Sequence, residues 1–161
     1  MAIYSTRNLD HDPELAQALG NMVAAWAHAE KVLLSTLSRI ADIGMNMSLD
    51  GYFRIPTFES RVKFIVALIP EWKTEKFDKA AISTAIEKLA KLAKTRNNWV
   101  HGDWCIDYTK RETIVFNHRI PPDAQGRRKT VKAQDVRNHC EAVIRRATNL
   151  ADLIDIDGLR A

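Results

Sequence analysis

A single long amphipathic segment near the N-terminus limits what this chain can fold into. Asp12 offers a helix N-cap, Pro13 suits the first helical position, and Glu14 sits at the positive end of the helix dipole. Apolar residues then recur at Leu15, Leu19, Met22, Trp26, Ala29, Leu33, Leu37 and Ile40, in alternating steps of three and four. That is the period of one buried helical face. If the helix runs to the stop signal at Gly44, it is a rod of about 46 Å at 1.5 Å per residue. A rod of that length is a bundle helix, too long for most mixed α/β folds.

The remaining segments fit a bundle with one exception. Residues 44–57 read as a connection, with Asp50-Gly51 and Pro56 as turn signals. Thr57 caps a short second helix with the stripe Phe58, Val62, Ile65 and Ile69, which Pro70 stops. A third long helix is predicted from about Glu75 to His101. Its stripe reads Ile82, Ala85, Leu89, Leu92, Arg96 and Trp99, and Gly102 follows as a stop. The period then changes to two: Trp104, Ile106 and Tyr108, then Ile114, Phe116, His118 and Ile120, predict a β-hairpin over about 104–120. Pro121 to Gly126 reads as a loop, and Arg127-Arg128-Lys129 as a basic knot in it. A last helix spans about Gln134 to Asp155. The expected fold is therefore all-α: one domain over residues 1–161, an up-and-down bundle of about four helices with a small hairpin inserted before the last.

Composition excludes several classes. With 161 residues, 46% apolar and 27% charged, the chain has the makeup of a soluble globular protein. The first residues lack the apolar stretch of a signal peptide, and the longest apolar run, Phe64 to Pro70, is too short for a bilayer. The expectation is a cytoplasmic protein with no membrane contact. Cys105 and Cys140 make no disulfide framework, and no His/Cys grouping has metal-ligand spacing, so neither metal nor cofactor is expected. The overall charge of +4 is unevenly placed. Residues 1–86 carry 9 basic and 10 acidic side chains, whereas residues 87–161 carry 15 and 10. A second half with a net of +5 points to a polyanion such as nucleic acid, against a solvated surface with a chance imbalance.

One residue in the third helix breaks its stripe. Arg96 stands where the pattern calls for an apolar side chain, and His101 ends the same helix. An arginine holds a phosphate bidentately, and an imidazole moves a proton near neutral pH. These two groups are a minimal set for cleaving RNA without metal: the 2′-hydroxyl attacks phosphorus, a base takes its proton, and a fixed cation steadies the anionic transition state. Positions five apart point about 140° away from each other on a helix, whereas Asn97 and His101, four apart, share a face. The expected catalytic cluster is Arg96, Asn97 and His101, with Asn97 positioning the imidazole or a phosphate oxygen. A second arginine–histidine pair, Arg111 and His118, falls in the hairpin and lacks a helix end.

The run Arg96-Asn97-Asn98-Trp99-Val100-His101-Gly102 resembles the signature of HEPN domains, helical bundles whose third main helix ends in an arginine, a neighbouring polar residue and a histidine. Trp26-Ala27-His28-Ala29-Glu30, followed by Leu33, Leu34 and Leu37, is similar to the opening helix of that family. The likeness covers roughly residues 12–102 and the final helix; the hairpin departs from the family's all-helical pattern. It implies a metal-independent endoribonuclease, a homodimer that brings two motifs into one cleft, and a role as a toxin or phage-defence effector. An antitoxin or nucleotidyltransferase partner follows from the same resemblance. Some members are non-catalytic, so the alternative is a helical RNA-binding or protein-interaction module.

Other residues join the site as expectations, each beside a plainer role. Trp99 and Trp104 could stack RNA bases or pack in the core. Arg127, Arg128 and Lys129, with Lys132, Arg137, Arg145 and Arg146, could track phosphates or form a solvated face. Glu30 could pair with a basic group such as Arg96, which would equally suit a purely structural bundle. Asp103 could orient His101 or simply close a turn.

Overall fold

The computed structural model describes residues 3–117 and 128–156. The distal end of the expected hairpin, the loop after it and Arg127 lie outside these residues. Among the described residues, six helices and four strands follow one another as β1 (Ile3–Ser5), α1 (Pro13–Ala41), α2 (Met45–Arg54), α3 (Phe58–Leu68), α4 (Lys79–Ala90), α5 (Ala93–His101), β2 (Asp103–Asp107), β3 (Glu112–Phe116), β4 (Arg128–Thr130) and α6 (Ala133–Leu153). The protein is mostly helical, with a four-stranded antiparallel sheet in the order β1-β2-β3-β4. Among the described residues no helix is long and apolar enough to cross a membrane. By compactness the chain divides into residues 1–24 with 94–140, and residues 25–93 with 141–161.

The second of these units is helical. Ala29, Val32, Leu33, Ile65, Ile82, Ile86, Leu89, Leu150 and Ile154 are buried in it, and α3 packs against α4. Thr57 caps α3 as expected, accepting a hydrogen bond from the Ser60 amide at 3.1 Å. The expected connection over 44–57 contains α2 instead. Exposed Gly51 costs that helix about 1 kcal/mol. Complete burial of Tyr52 on the same turn outweighs it. The expected helix from 75 to 101 is two helices: Asp78 caps α4 through the Ala81 amide at 2.9 Å, and the chain turns at Lys91–Leu92 before α5 begins. No glycine or proline marks that break.

Sheet and helix ends build the other unit. Leu15, Ala18 and Met22 of α1, Trp99 of α5, Val115 of β3, Val131, and Val136 of α6 form one buried cluster, with Trp104 and Cys140 packed against it. Asp12 caps α1 through the Leu15 amide (3.1 Å) and also accepts from the buried Thr113 hydroxyl at 3.3 Å. The hairpin expectation holds for β2 and β3, which pair from Asp103↔Phe116 to Asp107↔Glu112. Two further strands, β1 and β4, extend them.

The hairpin closes without an Asn-Gly turn. Asp107 is 1% exposed and accepts from the amides of Thr109 (2.9 Å) and Lys110 (3.2 Å). Arg111 supplies the left-handed residue at φ 54°. Removing the carboxylate in Asp107→Ala strands two amides of the turn and is expected to cost about 1–2 kcal/mol, read as a lower urea midpoint at unchanged m-value.

His139 of α6 lies in this unit, edge-to-face with Trp99 at 5.1 Å and 78°. Burial holds its imidazole below the ordinary value of 6.5. The unfolded chain therefore binds a proton that the folded chain resists. The stability associated with His139 is constant above pH 6.5 and falls as the pH drops below it. Urea midpoints at pH 7.5 and 5.5 are expected to separate more for wild type than for His139→Phe.

Candidate active site at the end of helix α5

Local sequence explains why α5 stops where it does. Its final carbonyls need partners, because no further turn of helix supplies them. The Trp104 indole N–H donates to the Trp99 carbonyl at 3.0 Å. Gly102 then lets the chain enter β2 with almost no clearance. A Cβ there would lie 2.4 Å from Val115 Cγ2, 2.5 Å from the Asn98 carbonyl oxygen and 3.0 Å from that of Phe116. Gly102 is thus fixed by space, as the point where α5 abuts β3.

The motif residues divide between two sides of α5. Asn97, Asn98, His101 and Gly102, with Asn117 just past β3, line a cavity of about 30 Å³. The expected pairing of Asn97 with His101 on one face is therefore present. Arg96 is half-buried and its Nη1 donates to Asn97 Oδ1 at 2.9 Å. His101 is exposed. The cavity is of water scale, far below the size of a small-ligand site. A phosphate would rest against its mouth, where His101 reaches solvent.

Asn117 escaped the sequence reading. Its Nδ2 donates to Asn98 Oδ1 at 2.8 Å, tying the last turn of α5 to the end of β3. Nineteen residues separate the two asparagines, and only the strand register, with Asp103 opposite Phe116, brings them together. No local pattern carries that signal.

Several expected site residues occupy other places. Trp99 is 4% exposed and belongs to the core cluster, so its ring is packed rather than offered for stacking. Trp104 is half-buried, spends its indole N–H on Trp99, and lies against the same core. Glu30 accepts from Arg61 Nη1 at 3.0 Å, and that guanidinium sits 5.0 Å above the rings of both Tyr52 and Phe53. The arginine paired with Glu30 is thus Arg61, not the one anticipated. Burial, and after it the Glu30 carboxylate, push the Tyr52 phenol well above its ordinary value. Asp103 opens β2 opposite Phe116 and is exposed.

The described part of the basic run, Arg128 and Lys129, lies in strand β4. Side chains alternate across a sheet, so Arg128 and Lys129 point to opposite faces of β4. The Arg128 guanidinium covers the Phe116 ring at 5.0 Å, whereas Lys129 is paired in register with Val115 on the core side. Arg137 is held by Glu14 at 3.0 Å. Among the described residues no three His, Cys, Asp or Glu side chains gather as a metal cage requires. Compared with protein-family models, curated proteins and solved structures, the chain matches none.

Proposed function

We propose that this chain is a metal-independent endoribonuclease of HEPN type. The observation that carries the reading is the convergence of Asn97 and His101 on one water-sized cavity at the exposed end of α5, with Arg96 bonded to Asn97. A fixed cation, an amide and an imidazole beside solvent are the groups that in-line cleavage needs. His101 accepts the 2′-hydroxyl proton as the 2′-oxygen bonds to phosphorus and the P–O5′ bond breaks. A second imidazole returns a proton to the departing 5′-oxygen, leaving a 2′,3′-cyclic phosphate and a 5′-hydroxyl.

Each chain supplies one motif histidine, so the second imidazole comes from another copy and the active form is a homodimer. Arg96 from each copy would neutralise the phosphate. Action inside the cell as a toxin or phage-defence effector, restrained by an antitoxin or nucleotidyltransferase partner, belongs to the same proposal. A non-catalytic module that binds RNA or a protein is the second reading. The bond between Asn98 and Asn117 favours it, because that bond locks the helix end as a structural joint would.

The test is incubation of the purified protein with transfer RNA and unstructured RNA in EDTA, beside the same unstructured sequence carrying 2′-deoxyribose. Cleavage confined to ribose-containing substrate, leaving cyclic phosphate ends, supports the enzyme. Salt-sensitive binding without cleavage supports the module.

A further inference from the structure

The two outer strands of the sheet are built differently. At one edge, β4 carries Arg128 and Lys129, and charged side chains of this kind keep an edge from pairing with another chain. At the other edge, β1 reads Ile3-Tyr4-Ser5, and no charged residue precedes Arg7. Its register against β2 is unbroken and contains no proline or bulge. None of the usual devices that blunt an edge strand is present in β1.

Register decides which backbone groups of β1 lie open. The Thr6 amide donates to the Trp104 carbonyl at 2.9 Å, and Tyr4 faces Ile106 further along the same ladder. Bonded and non-bonded pairs alternate in an antiparallel ladder, so Tyr4 and Thr6 turn their amides and carbonyls towards β2. Ile3 and Ser5 turn theirs outward, where no other strand or loop among the described residues bonds to them. Two rings stand in solvent beside this edge. Tyr4 is 60% and Tyr108 61% exposed, and they meet edge-to-face at 5.6 Å.

We propose that a second copy of this chain pairs with the β1 edge, antiparallel and about a two-fold axis at Tyr4. In that register Ile3 of one copy faces Ser5 of the other, and each such pair exchanges both backbone bonds. Every outward amide and carbonyl of Ile3 and Ser5 is then used. Tyr4 faces its counterpart in the closer, non-bonded type of pair, with Tyr108 flanking it on either side. Two four-stranded sheets become one of eight strands, and a row of tyrosines covers the joint. An uncharged strand is what self-pairing needs, because like charges directly opposite each other repel. A foreign strand would meet the same backbone groups without the match of ring to ring. The contact is small, so the dimer is a weak one. It is also distinct from the dimer that RNA cleavage calls for. Antiparallel pairing sends the two Asp103 ends of β2, and the α5 ends joined to them, in opposite directions.

The test combines sedimentation equilibrium, from micromolar to millimolar protein, with amide hydrogen exchange over the same range. Self-association is expected, with exchange at Ser5 slowing as concentration rises and the Tyr4 and Thr6 amides protected throughout. Ser5→Pro removes an outward amide without touching a bond to β2, and Tyr4→Lys sets two like charges together on the axis. Each is expected to weaken the dimer about tenfold or more, while continued protection of Thr6 shows that β1 is still in the sheet. His101→Ala is expected to associate as wild type does, and no reading involves RNA, so an absence of cleavage leaves the result intact. Protein that stays monomeric at millimolar concentration overturns the proposal. So does self-association that both variants leave at full strength while the Ser5 amide exchanges freely. A Ser5 amide slowed only by an added hexapeptide of alternating valine and threonine assigns the edge to a foreign strand, and likewise overturns a second copy as its occupant.

Discussion

A His101→Ala protein is expected to fold with the wild-type urea midpoint and to cleave RNA about 10²- to 10⁴-fold more slowly. The unchanged stability follows from position: His101 is exposed at the last residue of α5, so truncation opens no core cavity. The rate loss follows from its being the only motif group able to take a proton from the 2′-hydroxyl. Arg96→Ala is the informative companion. It removes the cation and also the donor to Asn97 Oδ1, so loss of rate is expected together with a measurable loss of stability. Arg96→Lys keeps the charge without the planar fork and should recover only part of the rate. Wild-type rates in His101→Ala would remove the catalytic reading altogether, whatever the RNA affinity.

The second large effect is expected at a residue with no chemistry of its own. Gly102→Ala places a methyl group 2.4 Å from a buried valine side chain and 2.5 Å from a backbone oxygen. Val115 is 4% exposed within the core cluster, and the Asn98 carbonyl belongs to α5, so neither neighbour yields freely. Overpacking of this kind costs roughly 3 kcal/mol. The strain falls between His101 and β2, where it moves the imidazole relative to Asn97. Loss of both stability and cleavage is expected, read by urea unfolding and by the RNA assay. The cleavage defect should persist in the surviving folded fraction at low temperature. A variant as stable as wild type would mean that α5 and β3 separate more easily than their contact distances imply.

What could be read ahead of the structure was whatever depends on neighbours within one or two turns. The N-cap at Asp12, the stripe of α1 and the cap at Thr57 are such features, and each is present. The shared face of Asn97 and His101 was likewise legible, because four residues of helix guarantee it. Features that depend on distant chain were not. A continuous apolar stripe hid the turn at Lys91–Leu92, where no breaker residue stands. The partner of Glu30 was open among many arginines until α3 placed Arg61 beside it. Asn117 required the hairpin register, and β4 was obscured by its own basicity. Gly102 was read as a stop for the helix, and its tight contact with Val115 required β3 to be in place.

The alternation of Arg128 and Lys129 across β4 bears on how the protein responds to ionic strength. Sensitivity to salt counts the phosphates neutralised at one time, each releasing its condensed counterions. If the chain binds RNA as proposed, a strand lying on one face of β4 would meet one of these two cations, while the other stays on the opposite face, above Phe116 or on the core side. The slope of that affinity against salt is then expected to be shallower than the basic residues of this region would give if counted together.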